Sequence, residues 1–154
     1  PVYLRFGRLA VPVVNDFDGY AFELGKGVTL REGKDVTIVA TGLCVCPALE
    51  AAVLLSEAGV CAEVINIHTI KPLDTQLIAA SAKKTGRVVT VEEHSVIGGL
   101  GSAVCDALAE KYPVPVKKLG IQDTYGESGP AEKLLEKYGL DVPSIYSAVR
   151  AFVG

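Results

Sequence analysis

The chain has no methionine, only four cysteines, few charges and no long apolar run, and each shortage narrows the field. Cys44, Cys46, Cys61 and Cys105 are too few and too irregular to staple a disulfide scaffold. The Cys44-Val-Cys46 spacing lacks the second ligand pair of a structural zinc site, so no metal is expected on this chain. No segment approaches the roughly 20 apolar residues that span a bilayer. The start also lacks the basic, apolar, small-residue pattern of a signal segment. Both point to a cytoplasmic protein with no membrane partner. Charged residues make up 21%, which argues against long disordered tails. A net charge of -3 offers nothing to attract nucleic acid. With no methionine, either the initiator was removed or the chain is a piece of something longer. Pro1-Val-Tyr-Leu-Arg-Phe6 already reads as a strand in progress, so a fragment is expected.

What is present is 154 residues, 49% of them hydrophobic, enough for one well-packed core. A single pattern recurs: a β-branched strand, a short loop, an apolar helix. Val36–Thr41 leads through Gly42 and Cys46-Pro47 into a helix ending near Gly59. Glu63–Ile67 leads into a helix over Thr75–Lys84, capped by Asp74, with Leu73 and Ile78 spaced as a hydrophobic staple. Arg87–Val91 leads through a glycine loop to a helix over Ser102–Tyr112, and Val114–Leu119 forms a further strand. Two more helices follow, Ala131–Tyr138 and Ser144–Phe152, the second with an apolar stripe at Ile145, Val149 and Phe152. The run Ala48–Leu55 is apolar almost all round and should be deeply buried. Tyr20–Leu30, interrupted by Gly25 and Gly27, reads as an additional edge strand. Residues 1–19 read as the end of a preceding domain and a linker. Alternation of this kind implies an α/β fold with right-handed crossovers and a sheet covered on both faces.

Ligands of open parallel sheets bind at the carboxyl ends of the strands. Those ends carry Cys44 and Cys46, then His68, Thr69 and Lys71, then Glu92, Glu93 and His94, then Asp123 and Glu127. His94 beside Glu93 has the composition of an oriented general base, although neighbours on a strand point to opposite faces. Cys44 or Cys46 with His94 would make a cysteine nucleophile only if the fold joins them. Gly98-Gly99-Leu-Gly101 ahead of a helix could present N–H groups to an anion. It is not Gly-x-Gly-x-x-Gly, since Val104 takes the last place, and a tight strand-to-helix turn explains the glycines equally well. Lys71-Pro72 reads most simply as a fixed extended loop before Asp74.

Taken in order, Gly42 with the Ala48–Leu55 helix, His68-Thr-Ile-Lys-Pro-Leu-Asp74, Thr90-Val-Glu-Glu-His94 with Gly98-Gly99-Leu-Gly101, and Gly126-Glu-Ser-Gly129 ahead of Leu134-Leu-Glu-Lys-Tyr-Gly139 resemble the carboxyl-terminal domain of transketolases. The resemblance runs from about residue 20 to the end. It implies a three-layer α/β/α domain with a mixed five-stranded sheet, four strands parallel and one antiparallel. Tyr20–Leu30 is the candidate for the odd strand. Residues 1–8 are similar to the last strand of the preceding pyrimidine-binding domain, which makes 20–154 the carboxyl-terminal domain proper. The resemblance further implies an enzyme of pentose phosphate metabolism that moves a two-carbon ketol unit between sugar phosphates. Thiamine diphosphate and magnesium serve the complete enzyme, and neither is expected on this chain. The family's Gly-Asp-Gly diphosphate segment is absent, as is the glutamate that activates the cofactor. Arg8 matches the arginine that contacts the sugar phosphate, with Arg5 the other candidate for that position. The remaining transketolase domains, and a second copy in a homodimer, are the implied partners. His68, Lys71, Glu93, His94, Gly98, Gly99 and Gly101 are then crevice or interface residues, none of them catalytic. Relatives of the same architecture, 1-deoxyxylulose-5-phosphate synthase and the 2-oxo acid dehydrogenase beta chain, share the Lys-Pro-Leu-Asp and glycine-loop features. From other classes come a free-standing α/β ligand-binding module and a cysteine-dependent hydrolase.

Overall fold

The structure, a computed structural model, describes residues 1–7 and 10–154. Five strands and five helices follow a short lead segment. In chain order they are β1 (Val28–Arg31), β2 (Val36–Ala40), a 3-10 turn (Gly42–Cys44), α1 (Val45–Glu57), β3 (Ala62–Asn66), α2 (Thr75–Thr85), β4 (Val88–Ser95), α3 (Leu100–Lys111), β5 (Val116–Ile121), α4 (Ala131–Lys137) and α5 (Val142–Val153). The sheet order is β1-β3-β2-β4-β5, with β1 antiparallel to β3 and every other neighbour parallel. Ile38 of β2 sits opposite Val64 of β3 and Val89 of β4, so the centre of the sheet is a row of β-branched side chains.

Both faces are covered, which is why the central strands read as continuous apolar runs rather than alternating ones. On one face Val36, Ile38, Val64, Val89 and Val91 pack with Ala48 and Leu55 of α1 and Ile145 and Val149 of α5. On the other, Val39, Ile65, Ile67 and Val88 meet Ile78 of α2 and Leu100, Val104 and Leu108 of α3. Each fully buried branched side chain contributes about 1.5–3 kcal/mol. The α/β/α layering and the mixed five-stranded sheet are those the sequence led us to expect. The Asp74 cap also forms: its Oδ1 accepts from Leu77 N at 3.1 Å, and Leu73 packs into the same core as Ile78. Gly86, at φ 73°, ends α2 in the left-handed conformation that glycine adopts freely.

Four expectations need correction. The odd strand is short: 20–27 is irregular and pairing begins only at Val28, because Gly27 N donates to Asp74 Oδ2 at 3.1 Å instead of to a ladder. Residues 1–6 form no strand, and Val2, Tyr3, Leu4 and Phe6 stand exposed. Helix α1 buries one side only; Val53 and Leu54 face outward at 49% and 39% exposure, because the sheet and α5 meet only the side carrying Ala48, Ala52 and Leu55. Finally, β4 runs on through Ser95, so Glu92, Glu93 and His94 are strand residues rather than loop residues.

Candidate functional site at the carboxyl edge of the sheet

The winding reverses at one place. The β2–α1–β3 unit crosses on one face; β3–α2–β4 then passes back over β2 on the other. The reversal falls between β2 and β4, where a doubly wound sheet opens a crevice. The 3-10 turn Gly42–Cys44 and the segment Glu92–Ser95 emerge there.

Glu92 decides the chemistry of this edge. It lies on the same strand parity as Val88, facing α3, and is buried. Its two carboxylate oxygens accept from Leu100 N at 2.6 Å and Gly101 N at 2.8 Å. The first N–H groups of a helix have no intrahelical acceptor and carry partial positive charge, so an internal carboxylate satisfies them well. The N–H groups that the glycine loop could have offered an outside anion are thus taken. The glycines follow from the same approach: a Cβ on Gly99 would overlap the Glu92 carboxylate, and one on Gly101 would lie 2.6 Å from Lys118 Cδ and 2.8 Å from Thr90 Oγ1. Gly98 N donates to Ser102 Oγ at 2.9 Å. Sequence reasoning named Glu92 among the strand-end groups but not its role, although strand parity with Val88 was the signal that pointed it at α3.

The other predicted residues are spread along the edge. Glu93 faces the opposite side and is exposed; Arg5 Nη2 donates to its carbonyl at 3.2 Å and lies 3.9 Å from its carboxylate. His94 is exposed, with Nδ1 2.9 Å from Ser95 O, and pairs with neither Glu93 nor a cysteine. It does come close to the glycine turn, where a Cβ on Gly99 would be 3.0 Å from His94 Nδ1. His68 stands beyond β3, bonded through Nδ1 to Thr69 Oγ1 at 2.9 Å and packed against Phe22 in a tilted pair, ring centroids 4.7 Å apart. Burial lowers its pKa and favours neutral imidazole. Lys71 is exposed and joined to Pro72 by a cis peptide bond. Arg8 lies outside the described residues.

Neither Cys44 nor Cys46 has the surroundings of a nucleophile. Burial, reinforced by the charges of Glu93 and Glu92, pushes the Cys44 thiol up to about 12. Cys46 is raised by burial and then by Glu50. A reactive cysteine needs the opposite, a positive neighbour that stabilises thiolate. Beside the reversal point lies a cleft of about 370 Å³, lined by Leu43, Glu93, Ile121, Glu127, Leu134 and Tyr138 among others. Its floor is apolar, and the Tyr138 hydroxyl is buried with no hydrogen-bond partner among the described residues. Glu127 at its rim is paired with Lys137 at 2.7 Å.

The fold and this edge define a class: a mixed-sheet α/β domain whose strand-end polar groups are mostly bonded within the chain. Residues 25–145 match the family described as "Transketolase, C-terminal domain", and the chain belongs to that family. It is 50% identical over 149 residues to the 6-deoxy-6-sulfo-D-fructose transketolase subunit SqwH of Clostridium sp. (strain MSTE9), covering 96% of this chain and 46% of that protein. A solved structure titled "Split gene transketolase, inactive beta4 tetramer" superposes with a TM-score of 0.88 at 52% identity, over 94% of this chain and 47% of the other. The 1-deoxy-D-xylulose-5-phosphate synthase 1 of Geobacter sulfurreducens (strain ATCC 51573 / DSM 12127 / PCA) is 42% identical over 99% of this chain, which spans 24% of it. The chain therefore spans less than half the length of these relatives. At the N-terminus of α3 the described residues do not fit thiamine diphosphate, because the Glu92 carboxylate already occupies the N–H groups there and would repel a diphosphate.

Proposed function

We infer that this chain serves as the carboxyl-terminal portion of a cytoplasmic transketolase that moves a two-carbon ketol unit between sugar phosphates. The remaining domains hold thiamine diphosphate and magnesium, and this portion packs against them and contributes to a homodimer. Residues 1–19 are the end of the pyrimidine-binding domain with its linker, and 20–154 the carboxyl-terminal domain. Arg8, which precedes that linker, is the residue of this chain that reaches the sugar phosphate; a guanidinium suits the task through two parallel hydrogen bonds. One observation carries the reading. The groups that would make a catalytic set are bonded inside the chain: Glu92 to α3, Asp74 to α2 and Gly27, Glu93 to Arg5, His94 to Ser95. A domain with its strand ends so committed is scaffold for chemistry performed elsewhere.

The test is turnover of xylulose 5-phosphate and ribose 5-phosphate with thiamine diphosphate and magnesium. The chain alone gives none, and the complete enzyme gives ketol transfer. Robust activity from the 154-residue chain alone would refute the reading. Formation of 1-deoxyxylulose 5-phosphate by the complete enzyme would instead select the synthase branch of the family. The cleft beside Tyr138 favours one further reading, a small-ligand site regulating the enzyme. Thermal-shift screening with sugar phosphates and inorganic anions checks it, since a specific ligand raises Tm.

A further inference from the structure

We propose that the His68–Asp74 loop is a clamp on the polypeptide entering the domain, and that it thereby sets where the preceding part of the enzyme sits; this second half rests on the functional reading above. The most conspicuous motif of the sequence is left without work by a scaffold reading, yet three of its side chains grip the same short segment, Phe22–Gly27. Asp74 does so with one carboxylate facing two ways: Oδ1 caps α2 through Leu77 N, and Oδ2 accepts from Gly27 N, each at 3.1 Å. Pro72 provides a flat wall. Gly25, at φ 85°, lies so close that a Cβ there would be 2.9 Å from Pro72 Cγ. Gly27 in turn presses on Ile67 and Leu77, where a Cβ would come within 2.6 and 2.8 Å. His68 completes the grip by packing against Phe22, the two rings tilted by 38° with centroids 4.7 Å apart, and the bond to Thr69 orients the imidazole.

The chemistry argues against a small-ligand site in this loop. Both Asp74 oxygens are engaged, His68 has given Nδ1 to Thr69 and packs against Phe22, and Pro72 has no N–H to offer. The segment on the other side is built to be held: two glycines where the backbones approach, and an aromatic where the imidazole lies. Because Phe22 remains 63% exposed, the grip fastens a surface strap and does not form part of the core.

Lys26 sits inside the gripped segment and supplies the assay. Trypsin cuts the Lys26–Gly27 bond only when the strap opens locally. An Asp74→Asn substitution keeps a capping oxygen for Leu77 N and leaves none for Gly27 N. Cleavage after Lys26, followed by mass spectrometry, should accelerate about tenfold, the factor expected for one hydrogen bond to a charged acceptor. Phe22→Ala should accelerate it as well, and Phe22→Tyr, which keeps the ring, should not. Phe22 is a surface residue, so its variants report on the strap even if the Asp74 variant folds poorly. Unchanged cleavage in Asp74→Asn and Phe22→Ala would overturn the clamp. In the complete enzyme the two loosening variants should lower kcat several-fold with the sugar KM unchanged, and Phe22→Tyr should restore it. Faster cleavage with unchanged kcat would overturn the positioning half. A wild-type complete enzyme without ketol transfer would instead remove the functional reading, and protection of Lys26 would still decide the clamp.

Discussion

Replacing Glu92 by alanine tests the account of the strand-end edge most directly. The wild-type carboxylate accepts two helix N–H groups, Leu100 and Gly101, in a fully buried setting. A hydrogen bond to a charged group is worth about 1.5–3 kcal/mol net, and a buried donor left without an acceptor costs about 1–3 kcal/mol. Some water will enter the space vacated, so the expected loss is about 4 kcal/mol, a large share of a typical 5–15 kcal/mol stability. With a urea m-value of about 2 kcal/mol/M, the midpoint should fall by about 2 M at unchanged slope, read by circular dichroism. Glu92→Gln should lose about half as much, because its amide offers one acceptor oxygen and sets an NH2 against the other donor. The freed N–H pair is an anion site in the making. Sulfate or formate should therefore raise the Tm of Glu92→Ala by more than it raises that of wild type. A loss below about 1 kcal/mol, or equal anion effects on both proteins, would show that the helix start does not depend on this carboxylate.

The remaining tests concern other buried groups. Cys44 stays protonated in the fold from its ordinary 9.0 up to about 12, so the unfolded chain gives up that proton first; its contribution to stability is complete below pH 9 and fades as the pH climbs towards 12, by about 4 kcal/mol at most. The alkaline loss of stability should be shallower in Cys44→Ala, and identical slopes would contradict the assignment. Lys84→Met leaves Glu63, 2% exposed, with only the Thr37 hydroxyl at 3.0 Å in place of the 2.6 Å ion pair. The pair is open to solvent on the lysine side, so the cost should be about 2 kcal/mol by chemical denaturation, largely recovered in the Lys84→Met/Glu63→Gln double variant; a change below about 0.5 kcal/mol would contradict it. NMR titration should place His68 below its ordinary value because burial disfavours the imidazolium. Phe22→Ala, by opening the ring to water, should bring it back up, and an unmoved titration would show that Phe22 is not part of that burial.

Much of this molecule was legible in advance. The strand–helix repeats and the Asp74 cap with its staple rest on local patterns: β-branched runs, capping side chains, glycine and proline at element ends. These are satisfied within a few residues of where they are written. Misjudgements arose wherever a distant segment supplied the partner. Tyr20–Leu30 looks like a strand from its composition, but Asp74, 47 positions on from Gly27, takes the N–H that a ladder would need. The Ala48–Leu55 run looks fully buried, and only the placement of α5 decides which side is covered. The Glu92-Glu93-His94 triplet is expected to split between faces if it lies on a strand, but its partners are not visible in the sequence. Extension of β4 sends Glu92 inward to α3 and Glu93 outward to Arg5.

The amino-acid order was therefore sufficient for the elements and the layer architecture, because periodicity and capping act over a few residues; the family came from the resemblance of whole motifs, which the match over residues 25–145 bears out. Beyond the Asp74 cap, tertiary structure assigned the strand-end polar residues their work. Whether a carboxylate meets a ligand or its own helix depends on which N–H groups the crossovers bring to it. In this chain the crossover from β4 to α3 delivers two of them to Glu92 before any outside anion can arrive.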